Sequence, residues 1–166
     1  MSNQTSTITP QSTLSSYLND HLAGSKAAIE LVESIRAENE GTPLGELLGR
    51  LATEIETDRG TLEGLMTGLG VETSPVKQAA GWMLERLSRL RFDERVTRSA
   101  ATTRLMQLET LSLGIEGKVM LWNALEQVGE TSFEGVDFAG LVTRAQTQRK
   151  DIEPFRLEAA AAGLEA

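Results

Sequence analysis

Residues 71–100 read VETSPVKQAAGWMLERLSRLRFDERVTRSA, and the length of this stretch decides the fold. Long helical patterns lie on both sides of it. Upstream, apolar residues recur at helical spacing at Leu14, Leu18, Leu22, Ile29 and Val32. ENEGTP, residues 38–43, breaks that pattern and ends on Pro43, a residue suited to a first helical turn. A second stripe follows: Leu44, Leu47, Leu48, Leu51, Ile55, Leu62, Leu65, Met66 and Leu69. Downstream, a third pattern covers 101–128 and GETSFEGVD, residues 129–137, forms a loop. A fourth pattern then runs to about residue 160. Each pair of helices is joined by a short loop and is therefore expected to be antiparallel. Thirty residues separate the pairs. That is enough to return the chain along a whole bundle, whereas an up-down-up-down bundle needs only a short loop there. Ser74 and Pro75 read as an N-cap and first position, so a short crossover helix is expected over 75–90, with Val76, Ala80, Met83, Leu84 and Leu87 on its apolar side.

Composition agrees with an all-α protein. Leu, Ala and Glu dominate and β-branched and aromatic residues are sparse. The 166 residues suit one domain with a real core, here 13–166, preceded by a polar tail over 1–12 expected to be disordered. The net charge of −8 argues against binding nucleic acid through its phosphates. No apolar run reaches the roughly 18 residues that span a bilayer. The N-terminal MSNQTSTITPQST lacks the basic and apolar segments of a signal peptide, so a cytoplasmic location is expected. With no Cys in the chain, disulfides, thiolate nucleophiles and iron–sulfur ligation are excluded.

Two segments carry a family resemblance. YLNDHLAGSKAAIE, residues 17–30, resembles the first helix of ferritin-like and bacterioferritin-like proteins, which read Leu-Asn-Glu-x-Leu-Ala-x-Glu followed by Ala-Ile. LSLGIEGKVMLWNAL, residues 111–125, resembles their third helix, approximately Leu-x-Leu-Glu-x-x-Gly-x-x-x-Leu. The likeness extends from Ser16 to about Glu158. It implies a ferritin-like four-helix bundle with one long crossover, and it extends to small bacterial ferritin-like proteins linked to stress responses. In the active family, two helices each give a Glu and two each give Glu-x-x-His, all pointing inward to two metal ions.

Carried onto this chain, that ligand set is largely lost. The first-helix Glu falls on Ser25, which lies mid-face among the apolar residues of its helix. The third-helix Glu falls on Gly114. The second-helix motif has two registers: Glu54-x-x-Thr57 by the resemblance, or Ile55-x-x-Asp58 by the apolar stripe. Neither contains a His. The fourth-helix motif falls on Gln148-x-x-Asp151, with Gln148 in a stripe of Leu141, Ala145, Ile152 and Phe155. The only His is His21, one turn before Ser25. Iron or manganese oxidase chemistry needs several carboxylates and imidazoles, so no cofactor and no catalytic residue is expected. A weak single-metal site using His21, Glu54, Asp58 and Asp151 is the alternative.

Small residues at 25 and 114 let the helix backbones close in on the lost site. Lys118, one turn beyond Gly114, either pairs with Asp58 or Glu54 in place of a metal or snorkels to water. Gly45, Gly49, Gly60, Gly64 and Gly68 suggest close helix or subunit packing. Trp82, Trp122, Met66, Met83, Met106 and Met120 read as core packing rather than a cofactor box. Pro154 predicts a kink or a break near Glu153, and LEAAAAGLEA, residues 157–166, predicts a frayed end. The expected function is a non-catalytic bundle acting through self-association, as a homodimer or other homo-oligomer, or through a protein partner. No nucleic-acid or membrane partner is expected. A metal-binding protein or oxidoreductase with an altered site, and a small-ligand carrier using the core, are the alternatives.

Overall fold

The computed structural model describes residues 10–73, 99–129 and 133–164. They form α1 (Pro10–Glu38), α2 (Pro43–Gly68), α3 (Ala100–Val128) and α4 (Phe138–Leu164), with no strand among the described residues. Over the described residues the fold is all-α, a bundle of four helices. The crossover helix predicted over 75–90 lies outside the described residues, apart from its lead-in to residue 73. α1 begins at Pro10, so three residues placed in the tail are helical.

Local chemistry sets the helix ends. Thr42 accepts the Gly45 N–H at 3.2 Å as the N-cap of α2, with Pro43 in the first turn. Ser99 caps α3 through the Thr102 N–H at 3.1 Å. Gly129 closes α3 in the left-handed region, φ 62°. The α1–α2 turn is tight. Asn39 is buried and donates to the Ile35 carbonyl at 2.6 Å, while its own carbonyl accepts from Thr42 Oγ1 at 2.7 Å. A Cβ on Gly45 would overlap that Asn39 carbonyl, so only glycine fits there.

Contacts between the helices fix their directions. Gln107, near the start of α3, reaches Glu38 at the end of α1. Thr102 Oγ1 donates to the Gly163 carbonyl at 2.9 Å, joining the start of α3 to the end of α4. At the far end, Leu65 and Met66 of α2 share an apolar cluster with Leu125 of α3, Phe138 of α4 and Leu18 of α1. Thus α2 ends and α3 begins at opposite ends of the bundle. α1 packs on α2 and α3, and α4 packs on α3 and α2, so every neighbouring pair is antiparallel. A second apolar cluster fills the end nearer the α1–α2 turn, with Val32, Ile35, Leu48, Leu108 and Ile152. Each such fully buried side chain contributes about 1.5–3 kcal/mol of transfer free energy.

Two expectations for α4 are revised. Of the kink or break expected at Pro154, the break does not occur, and the helix continues from Phe138 to Leu164. The proline and Lys150, whose carbonyl loses its N–H partner, are both exposed residues, and exposure is what makes an interior proline tolerable. The C-terminal end is also anchored rather than frayed. Ala159 is buried, and Gly163 sits so close to α3 that a Cβ would lie 2.8 Å from the Thr102 nitrogen. The glycine row of α2 divides as well. Gly45 is closely packed, but a Cβ on Gly60, Gly64 or Gly68 would meet nothing within 4 Å, so these three face open space.

Candidate functional site

The two apolar clusters meet at a polar layer. Asp58 projects from α2 into the bundle and is 1% exposed. Lys118 Nζ, from α3, donates to Asp58 Oδ2 at 2.5 Å and to Gln148 Oε1 of α4 at 2.6 Å. Arg144, one turn before Gln148, gives Asp58 Oδ1 two N–H groups, from Nε at 2.9 Å and from Nη2. Gln148 Nε2 donates to Glu54 Oε2 at 2.8 Å, closing a chain of five side chains from three helices. Two carboxylates and two cations leave the cluster with no formal net charge. A carboxylate at this depth is tolerable only when paired and hydrogen-bonded, and Asp58 has both conditions met. Burial pushes the Lys118 ammonium below the usual lysine range. The Asp58 charge and hydrogen bond pull it back up, and Arg144 adds to the lowering.

Beside this cluster lies a cavity of about 300 Å³ bounded by α1, α2 and α3. It exists because the facing positions carry almost no side chain: Gly24 and Ser25 on α1, Gly114 and Gly117 on α3. Ile55, Leu62, Leu121 and Trp122 give it apolar walls, and Asp58 and Lys118 border it on the cluster side. His21, Asp20 and Arg59 line it as well. The His21 ring meets Tyr17 edge-on with centroids 4.7 Å apart. Burial lowers its pKa, and the Asp20 carboxylate partly opposes that shift.

The residues expected at the site are therefore only partly brought together. Ser25, Gly114 and Asp58 share the cavity wall, and Gln148 reaches it through Lys118. The helices do not close over this layer as their small residues suggested; the space remains open. The two registers of α2 are resolved by burial. Ile55 and Asp58 face inward, and Thr57 is exposed with its hydroxyl on the Thr53 carbonyl. Glu54 sits at the flank and joins through Gln148. Asp151 is exposed and takes no part. Lys118 turns inward to Asp58 instead of snorkelling to water. Ser25 turns its hydroxyl back onto the Leu22 carbonyl at 2.6 Å. Trp122 is 1% exposed and packs against Phe138, serving both core and cavity. Trp82 and Met83 lie outside the described residues.

Sequence reasoning missed Arg144 and Arg59. Arg144 had a signal: it precedes Gln148 by one turn, so a helix that turns Gln148 inward also brings Arg144 to that face. Arg59 had none beyond following Asp58.

The donor set does not fit a pair of iron or manganese ions. Both oxygens of Asp58 already accept N–H groups from two cations, where a metal centre needs anionic oxygens free to bind. Among the described residues no three His, Asp or Glu side chains are placed to share one ion, so His21, Glu54, Asp58 and Asp151 do not form a single site. Compared with protein-family models, curated proteins and solved structures, the chain matches none of them.

Proposed function

We propose that this chain is a ferritin-type bundle that works by binding rather than by turnover, holding a small and mainly apolar molecule in its core. The observation that carries this reading is the cavity of about 300 Å³ at the level where the family resemblance puts a metal centre. A volume of that order, apolar with a few polar groups, is typical of small-molecule sites. The charged pair on its inner side, Asp58 and Lys118, is committed to itself and to Arg144 and Gln148, which favours a packing role for that pair over acid–base turnover. Titration with phenylnaphthylamine, a neutral dye that fluoresces in apolar surroundings, tests the reading. One saturable site is expected, and Gly117→Leu should abolish it, because that side chain enters open space at the cavity wall. Binding unchanged by Gly117→Leu would reject the cavity as the site.

A second reading, self-association as a homodimer, is favoured by one face of α3. Leu113 and Met120 are 51% and 61% exposed and flank Gly117 at helical spacing. A sedimentation mass twice that of the chain, reduced by Met120→Glu, supports it. A monomer at high concentration removes it.

A further inference from the structure

The charged residues that line the cavity differ in what they are free to bind. Asp58 and Lys118 hold one another, with Arg144 on the second Asp58 oxygen. Arg59 is engaged along α2 itself, with Glu56 at 3.6 Å and Glu63 at 3.0 Å. The Asp20 carboxylate alone among them has no ion pair or hydrogen bond within the described residues. Of the described residues that line the cavity, two are exposed: Asp20 on α1 and Leu113 on α3. The cavity therefore opens to solvent between these helices, and Asp20 stands at that opening. His21 follows it in the chain, and the Asp20 charge acts on the imidazole. The His21 ring nitrogens have no hydrogen-bond partner within the described residues, yet they are not sealed off as Arg59 Nε and Trp122 Nε1 are. Burial favours the neutral ring, which leaves one of those nitrogens an acceptor. Deeper in, Leu62, Leu121 and Trp122 are buried and give the cavity its apolar part.

We infer, resting on the binding reading above, that the cavity takes an apolar amine as its cation, with the ammonium at the opening beside Asp20 and His21 and the hydrocarbon against Leu62, Leu121 and Trp122. The sign follows from which charges are free. Arg59 and Lys118 are neutralised by their own partners, and the uncompensated group is a carboxylate in a chain of net charge −8. An ammonium donates to that carboxylate and to a neutral imidazole nitrogen. At the opening it keeps much of its water, so no charge is buried unpaired. An anion meets Asp20 as a like charge and finds no free cation on the wall. A neutral molecule fills the apolar part and leaves Asp20 unused.

Three probes of one size test this in the intact chain by calorimetry at pH 7 and low salt: aminotetralin, a cation; tetralol, neutral; and tetralin carboxylate, an anion, each substituted at the same ring carbon. Two fused rings suit the volume, since about 150 Å³ of apolar cavity accommodates one benzene ring and this cavity is about 300 Å³. The amine is expected to bind about three- to fivefold tighter than the alcohol, the factor of a partly solvated ion pair, and about tenfold or more tighter than the carboxylate. Asp20→Asn, at an exposed position, should bring amine and alcohol within about twofold of each other, as should about 0.5 M salt with the parent chain. The bound ammonium should also move the NMR titration of His21, the only histidine, further down, because a nearby cation disfavours the charged ring; the alcohol lacks that charge. Alcohol binding as tightly as amine, or carboxylate binding tightest, would overturn the charge inference and leave the carrier reading standing. An amine preference that survives Asp20→Asn, with the His21 midpoint unmoved, would overturn the seat at the opening. If phenylnaphthylamine binds and none of the three probes does, the inference falls alone. If neither the dye nor any probe binds, the carrier reading itself falls and takes the inference with it.

Discussion

Asp58→Asn is the most informative single change, because it removes the one charge on which both cations converge. The two cations respond differently. The Arg144 side chain is 36% exposed and can turn to water, so its share is small. The Lys118 side chain is 14% exposed and cannot. It can stay charged and unpaired, which costs about 3–5 kcal/mol when a buried pair loses one partner. It can instead release its proton, which from an ordinary lysine value costs about 4.6 kcal/mol at pH 7. The cheaper route prevails, and the Asn oxygen still accepts one hydrogen bond, so the expected loss is about 3 kcal/mol. For a domain of this size that lowers Tm by roughly 6–12 °C. Lys118→Met should cost less, about 2 kcal/mol: Asp58 Oδ2 and Gln148 Oε1 both lose their donor, but Arg144 still neutralises the Asp58 carboxylate through its two N–H groups on Oδ1. The double variant should be no worse than Lys118→Met alone, since removing both charges together relieves the burial penalty. Thermal unfolding followed by circular dichroism at pH 7 measures all three. An Asp58→Asn protein melting within 2 °C or so of the parent, or a Lys118→Met protein that falls further than Asp58→Asn, would refute the charge network as the link between α2, α3 and α4.

The glycines give a contrasting pair: Gly60→Ala should stabilise by up to about 1 kcal/mol, and Gly45→Ala should destabilise by about 3 kcal/mol through overlap with the Asn39 carbonyl. Urea unfolding that orders the two variants the other way removes the distinction between the open and close-packed ends of α2. His21 is the only histidine, so one imidazole NMR signal reports its titration, expected with a midpoint below about 6.5 because burial disfavours the charged ring. Its folded value lies below its unfolded value, so the stability it contributes is present above about pH 6.5 and lost as pH falls through that window. His21→Gln should lessen the acid loss of Tm, and a midpoint at or above the ordinary value would contradict the burial. Pro154→Ala restores the N–H that the Lys150 carbonyl lacks and should raise stability by about 1–3 kcal/mol; a lowered Tm would show that the proline is needed where it stands.

Much of the architecture was legible without coordinates. Leucine stripes at helical period placed α1 to α4 to within a few residues, because burial on one face of a helix leaves a one-dimensional trace in sequence. Thr42-Pro43 and Gly129 marked ends through local chemistry alone, and the thirty residues of 71–100 anticipated that α2 and α3 start and finish at opposite ends. The same stripe placed Asp58 inward, although the family pattern left Glu54 and Thr57 in contention.

Other features depended on distances between helices, which no local pattern encodes. The sequence offered two fates for Lys118; only the separation of α2, α3 and α4 decided that its ammonium reaches Asp58 and Gln148 rather than water. Small residues at 24, 25, 114 and 117 are compatible with closure or with a cavity. Which one forms depends on how the bulk of neighbouring wall residues, here Leu62, Leu121 and Trp122, spaces the helices. Gly45 and Gly60 look alike as letters, yet one abuts a carbonyl and the other faces open space. Pro154 looked like a break because its cost was judged from its own helix, whereas the burial of Ile152 and Ala159 and the Thr102–Gly163 contact hold both sides of it in place. Sequence determined which faces are buried; the tertiary structure decided what meets across them, because pairing and void are properties of several helices at once.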